Sequence, residues 1–235
     1  MLEAQTLKQI QEQGHATLSH VVPPHTTREL AGAFETLDGA GTRRGLLRPH
    51  VRALVCSGPV RNLAETVLGP HCLAIGATLF DKRRDANWLV SWHQDLTVAL
   101  ESKMNTPGYS SWSIKGGVPY AQPPREVLES LLAIRVDLDG SDATNGPLRV
   151  LPGTHRQGVL DHLDIQRCSR SITPRICPIE PGGALLMRPL LLHASSRATS
   201  PRRRRIIHVL FSSAVLAAPL AWHEPLGPDR DGQEP

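Results

Sequence analysis

Beyond residue 72 the chain breaks into short apolar or alternating runs, each bounded by turn-forming residues. The runs are CLAIGATLF (72–80), ANWLVSWHQD (86–95), LLAIRVDL (131–138), PLRVLPG (147–153), RICPIEP (175–181), ALLMRPLLLH (184–193) and RIIHVLFSS (205–213). Their length and period suit β-strands. Turn clusters at Asp81–Asp85, Gly140–Gly146, Pro181–Gly183 and Ser195–Pro201 separate them. Many short strands with turn signals between them predict a sandwich, jelly roll or barrel, with helices outside one sheet.

The first third follows a helical period. Leu7 and Ile10 sit among strong helix formers between Leu2 and Gln13, and Gly14 ends that segment. Thr26 followed by Glu29 makes a capping-box pattern ahead of LAGAF, which predicts a helix over about residues 27–37. GAGTRRG is a loop, and Val60–Leu68 is a short helix stopped by Gly69–Pro70. Residues 97–125 fit neither period. Pro107–Gly108, Gly116–Gly117, Pro119 and Pro123–Pro124 exclude a regular strand, so the segment reads as a long functional loop, a lid or substrate surface. Lys103, Tyr109, Trp112, Lys115 and Tyr120 are its candidate contacts. The polar tail after Trp222 reads as extended or frayed.

The chain has 235 residues, enough for one domain: residues 1–70 mostly helical support, 71–215 the barrel core. Aromatic residues are 4% of the chain, so Leu, Val, Ile and Ala must build the interior. The longest apolar run, Leu185–Leu192, is broken by Arg188 and too short to span a bilayer. The N-terminus lacks the cationic start and apolar stretch of a signal peptide, which predicts a soluble, cytoplasmic protein. Cys56, Cys72, Cys168 and Cys177 show no CxxC spacing and read as reduced thiols. The net charge of +4 is concentrated at Arg43–Arg44 and Arg202–Arg205, without the basic stripe and interleaved aromatics of a nucleic-acid binder. A small-molecule substrate, with no nucleic-acid or membrane partner, is the expectation.

The chemistry lies in a split set of ligands. On a strand, His93 and Asp95 share a face and can approach one ion together. Such a pair recurs by chance, and its bland reading is an exposed histidine beside a capping aspartate. His193 ends the run ALLMRPLLLH; read as one strand, that run puts Pro189 and Leu191 on the face of His193, and the proline suits an edge or a bulge. Two histidines and one carboxylate form the facial triad that holds non-haem Fe(II) with positions left open. Arg204 follows His193 by eleven residues. A hairpin would set it on the returning strand beside His193, where a guanidinium can grip a carboxylate in bidentate fashion. Ser195 adds a hydroxyl. Arg204, Ile206, His208 and Leu210 would share one face, Arg202 pointing with them and Arg203 and Arg205 the other way. One of the four arginines faces inward and the other three form a solvated edge.

FDKRRDANWLVSWHQD, NGPLRVLPGTH, GGALLMRPLLLHASS and RRRRIIHVLF, in this order, resemble the phytanoyl-CoA dioxygenase family of Fe(II)/2-oxoglutarate oxygenases over about residues 70–213. The resemblance implies a double-stranded β-helix, a jelly-roll barrel with the metal inside one end. It implies His93, Asp95 and His193 as Fe(II) ligands, Arg204 on the distal carboxylate of 2-oxoglutarate, and Ser195 and Gln94 near that co-substrate. It further implies O₂ as oxidant, succinate and CO₂ as products, and hydroxylation of a small molecule. Relatives that halogenate replace the carboxylate ligand, and Asp95 is present. Asn145–Gly146 and Pro152–His155 match segments that shape the barrel. The chain departs from the family at Gly182–Gly183, where an aspartate is frequent, and at Arg135, where some members carry an aromatic residue. Arg135 is assigned to the co-substrate site, with pairing to Asp137 or Asp139 as the alternative. The rival functions are a cupin-like metal enzyme that does not use 2-oxoglutarate, and a barrel kept as a binding module.

Overall fold

A computed structural model of the chain describes residues 2–37, 39–200 and 202–229. Four helices lead: α1 (Ala4–Gln13), α2 (Pro24–Gly32), α3 (Pro49–Cys56) and α4 (Gly58–Leu68). Strands β1 (His15–Leu18) and β2 (Gly41–Thr42) lie among them, so this region also supplies sheet edges. Next come β3 (Leu73–Lys82), β4 (Val90–His93), β5 (Val98–Ala99), β6 (Ser110–Lys115), β7 (Val118–Gln122), α5 (Arg125–Glu129), β8 (Leu131–Asp137) and β9 (Leu148–Val150). The chain continues through α6 (His162–Ser171), β10 (Arg175–Cys177), β11 (Ala184–Met187), β12 (His193–Ser195) and β13 (Arg204–Ser212).

The strands form a six-stranded sheet in the order β1-β11-β8-β13-β3-β2 and a four-stranded sheet in the order β10-β9-β12-β4. Every ladder in them is antiparallel. These are the two walls of a jelly-roll barrel, and the fold is mainly β with flanking helices, as expected.

Strand alternation divides the core in two. Leu132, Ile134 and Val136 of β8, with Ile207, Val209 and Phe211 of β13, face out and pack beneath α1–α4 against Ile10, Leu30, Val51 and Val60. Burying each such side chain contributes about 1.5–3 kcal/mol. The alternate residues point into the barrel: Ala133 and Arg135 of β8, Arg204, Ile206, His208 and Leu210 of β13. The helices thus hold the large sheet from behind and leave its inner face for chemistry.

Several expectations give way. Residues 97–125 are no plain loop: β5, β7 and β6 make a small antiparallel sheet. Gly116 and Gly117, at φ +59° and +85°, form the two-residue turn between β6 and β7, with Lys115 opposite Val118. Consecutive positive φ is the hairpin geometry that glycine permits. The run 184–193 is not one strand. β11 belongs to the large sheet and β12 to the small one, and the crossover between them carries Pro189 and a turn in which Leu191 N–H donates to Arg188 O at 2.9 Å. Nor do β12 and β13 form a hairpin; they lie in opposite walls, so Arg204 reaches the site across the barrel. The capping box is absent: α2 starts at Pro24, and Thr27 Oγ1 donates to Pro23 O at 3.1 Å. The tail is tied down as far as Asp229, with Leu226 and Ala74 exchanging two backbone hydrogen bonds at 2.8 and 2.9 Å. No helix among the described residues is long and apolar enough to cross a membrane.

Candidate metal and co-substrate site

β12 and β4 lie side by side with His193 directly opposite His93. Cross-strand partners have closely spaced side chains, and the two imidazole centroids are 4.1 Å apart. β4 ends at His93. The chain then bends so that Asp95 N–H donates to Pro189 O at 2.9 Å, anchoring the aspartate to the crossover that precedes His193. Its carboxylate lies 3.8 Å from His93 Nε2 and 3.6 Å from His193 Nε2. One donor atom from each of the three residues falls within 4.8 Å of the others.

The tautomers can be read from the backbone. His93 Nδ1 is 2.8 Å from Ser91 O and His193 Nδ1 is 2.9 Å from Leu191 O. A carbonyl only accepts, so each Nδ1 carries a proton, and in the neutral ring Nε2 presents its lone pair toward Asp95. His193 is 2% exposed, and burial above all holds it neutral, its pKa pushed down to about 4. Two Nε2 atoms and a carboxylate therefore converge, the donor set that one cation can share. Backbone carbonyls fixing the far nitrogens are the usual support of a metal-bound histidine. The donor set fits a divalent transition metal such as Fe(II).

Arg204 is buried on the inner face of β13 and in register with Lys82 of β3. It donates to Gly146 O through Nη1, and its Nε is buried without a partner. Lys82 donates to Ser196 O at 2.6 Å and sits over the Trp88 ring. Burial first and Arg204 second push its pKa down to about 8. The other arginines of the cluster are in ion pairs, not on a bare solvated edge: Arg202 with Asp142, Arg203 with Asp81 and Glu35, Arg205 with Asp139. Ser195, two residues past His193, is buried and lines the same cavity.

Arg135 projects into the cavity and pairs with neither aspartate offered to it. Asp137 Oδ1 accepts from the N–H groups of Asp139 and Gly140, and Asp139 is taken by Arg205. The Arg135 guanidinium lies 5.6 Å from the Phe80 ring, and burial pushes its pKa down to about 10. Gln94 goes elsewhere. Its Nε2 donates to Gly158 O and Leu190 O at 2.8 and 2.7 Å, and its Oε1 accepts from Leu160 N at 2.9 Å. With both amide hydrogens and one oxygen lone pair spent on the backbone, Gln94 braces the loop between the ligands from the cavity wall. His155 lies apart, its Nε2 donating to Gln11 O at 3.1 Å. Of the contacts expected from residues 97–125, Lys115 and Tyr120 line the cavity, whereas Tyr109 and Trp112 pack with Val98, Leu100 and Leu128.

A family profile described as "Phytanoyl-CoA dioxygenase (PhyH)" matches residues 1–206. The chain belongs to the phytanoyl-CoA dioxygenase family. Its broad class is therefore an oxygenase. No curated protein matches it. Solved structures share the fold at low identity. EctD from S. alaskensis, in its apoform, is 18% identical, with 90% of this chain and 77% of that one covered and a TM-score of 0.68. SnoK, described as a non-heme alpha-ketoglutarate-dependent carbocyclase from nogalamycin biosynthesis, is 15% identical, with 98% and 89% covered and a TM-score of 0.70. HygX from Streptomyces hygroscopicus, solved with iron bound, is 13% identical, with 92% and 89% covered and a TM-score of 0.67.

In this phytanoyl-CoA dioxygenase family member sequence reasoning gives no role to Lys82 or to His208, and His208 is the one nearer the metal ligands. Its Nδ1 accepts from Arg135 Nη1 at 3.0 Å, so the proton sits on Nε2, 3.8 Å from Asp95 Oδ2. Burial and then Arg135 push its pKa down to about 3, which keeps it neutral. Alternation in RIIHVLF places it on the face of Arg204; its approach to Asp95, just past the end of β4, leaves no trace in sequence. The cavity that joins these groups has a volume of about 470 Å³, within the range of small-molecule sites.

Proposed function

We propose that the chain is an Fe(II)- and 2-oxoglutarate-dependent dioxygenase that hydroxylates a small molecule. The carrying observation is the convergence of His93 Nε2, His193 Nε2 and Asp95 on one point, with both imidazoles held in the metal-ready tautomer. When bound, iron with 2-oxoglutarate supplies the oxidising chemistry with O₂, releasing succinate and CO₂.

The residues divide the remaining tasks. His93, Asp95 and His193 hold the metal on one face. Arg204 and Lys82 present adjacent cations to the distal carboxylate of 2-oxoglutarate, and Ser195 offers a hydroxyl nearby. Arg135 sits between the metal end and Arg204, where it orients carboxylate charge and fixes the His208 tautomer. Leu96, Val98 and Leu210 line the same space with apolar surface that limits water. EctD has been solved with bound Fe, and with 2-oxoglutarate and 5-hydroxyectoine, on the same fold. The paired cations favour this reading over a cupin-like enzyme that needs no diacid.

Purified protein loaded with Fe(II) should release succinate from 2-oxoglutarate when oxygen is admitted, and release more with a true substrate. Iron-loaded protein that leaves 2-oxoglutarate intact across a metabolite screen would falsify the proposal.

A further inference from the structure

The cavity is lined by five cationic side chains, Arg43, Lys82, Lys115, Arg135 and Arg204, and among the described residues by one carboxylate, Asp95. Lys82 and Arg204 form one pair, and Arg135 is engaged with His208. Arg43 and Lys115 remain. They come from the segment after β2 and from the tip of the β6–β7 hairpin, and both line the main cavity and an adjoining surface groove. Ile75, Gly76, Ala77, Ala99 and Tyr120 are likewise shared, so these seven residues mark the mouth where the two spaces meet.

Neither cation has a carboxylate within 4.0 Å among the described residues. Lys115 has only the Thr97 hydroxyl, at 2.9 Å, and the Tyr120 ring, 4.6 Å from Nζ. Burial first and Arg43 second lower its pKa, and Asp95, deeper in the cavity, opposes them more weakly. The nearest acid of the groove, Glu224, lies 3.8 Å from His223. Like charges set together without an acid in contact are unfavourable unless a ligand supplies the opposite charge. Between them Gly76 leaves the floor bare: a Cβ there would meet nothing within 4 Å.

We infer that Arg43 and Lys115 form an anion subsite for the substrate, whose carboxylate or phosphate they hold at the mouth while an apolar portion lies over Gly76 toward the metal end. The inference rests on the proposed oxygenation only in calling the ligand a substrate. It narrows the substrate class to amphiphilic anions of small-molecule size.

The test uses hexanoate, hexyl phosphate and hexanol, with binding followed by calorimetry. It is run on metal-free protein and on protein holding Zn(II) and saturating 2-oxoglutarate. Both anions should bind in both states, and hexanol at least about tenfold more weakly. Arg43→Gln and Lys115→Met should each weaken the anions about tenfold while the melting temperature holds, since neither residue is in an ion pair. Gly76→Phe should block the hexyl chains with both charges intact. A preference for hexyl phosphate assigns a phosphate substrate, and the reverse a carboxylate. Equal binding of hexanol, indifference to both substitutions, or displacement of the anions by 2-oxoglutarate would each overturn the subsite. Failure of Zn(II) or 2-oxoglutarate to bind, with the anions still held at Arg43 and Lys115, would break the oxygenase reading alone.

Discussion

Arg203 turns out of the barrel and is gripped by Asp81, with N–O distances of 3.0 and 2.9 Å, while Arg204 turns in and meets only the Gly146 carbonyl and a neighbouring lysine. The two are adjacent in the chain, Arg203 just ahead of β13 and Arg204 its first residue, and they turn to opposite faces. The outward arginine was given its counter-charge by the fold. The inward one has no carboxylate in ion-pair contact, with Asp137 acting on it only from farther off, and carries most of the desolvation cost of a buried guanidinium. A cation that the fold leaves uncompensated inside a cavity marks where a ligand is to bring the charge.

The metal end gives the sharpest test of this contrast. His193→Ala or Asp95→Ala should abolish iron retention, read by metal analysis, and take 2-oxoglutarate consumption to background while circular dichroism stays native. Retained iron in either variant would move the metal elsewhere. Next, Arg204→Met should raise the apparent KM for 2-oxoglutarate about 10- to 100-fold, the loss of a charge-assisted grip. The melting temperature should hold or rise, because an uncompensated buried charge has been removed. An unchanged KM would erase the distinction between the two arginines.

Gln94→Leu should cost about 3 kcal/mol of stability in denaturant unfolding, because buried backbone groups lose their partner. Its KM for 2-oxoglutarate should stay near wild type; a stable variant with a ruined KM would return Gln94 to the co-substrate. Arg203→Ala should lower stability by about 1–2 kcal/mol, since Asp81 is buried and would keep only Arg83 at 3.9 Å. It should leave KM alone. The smallest effect is in pH. Lys82 is cationic below its lowered pKa of about 8 and neutral above it, so 2-oxoglutarate affinity should be full below that value and fall a few-fold as pH rises through it. Lys82→Met should flatten that limb; a limb that persists in the variant belongs to another group.

What could be read from sequence was whatever the two-residue period carries. LLAIRVDL and RIIHVLFSS gave their strands, their inner and outer faces, and with them the inward side of Arg204 and His208. The residues proposed for the metal were legible through the ordered segments that resemble the family, since the His-x-Asp pair alone recurs by chance. The sheet to which a strand belongs was not legible. ALLMRPLLLH reads as one strand, and only tertiary pairing shows that Pro189 sits where the chain passes from one wall to the other. Gly116–Gly117 is a hairpin signal, masked in sequence by the prolines at 107, 119, 123 and 124 that break the strand pattern around it. The helix α6 has its cap in plain view, Asp161 accepting from Asp164 N–H at 2.8 Å, but few apolar residues to mark its period. Gln94 could not be placed because its partners, Gly158, Leu160 and Leu190, are distant in the chain.

The crossover at residues 188–191 has a consequence for binding. It leads into the strand of His193, its Pro189 carbonyl receives the amide of Asp95, and its Leu190 carbonyl receives the side chain of Gln94. Donors separated by about a hundred residues are thereby fastened to one short piece of backbone. The entropy of gathering them is lost when the chain folds and not when an ion arrives, so the site is preorganised and a substitution at the crossover should weaken capture of iron without touching a ligand.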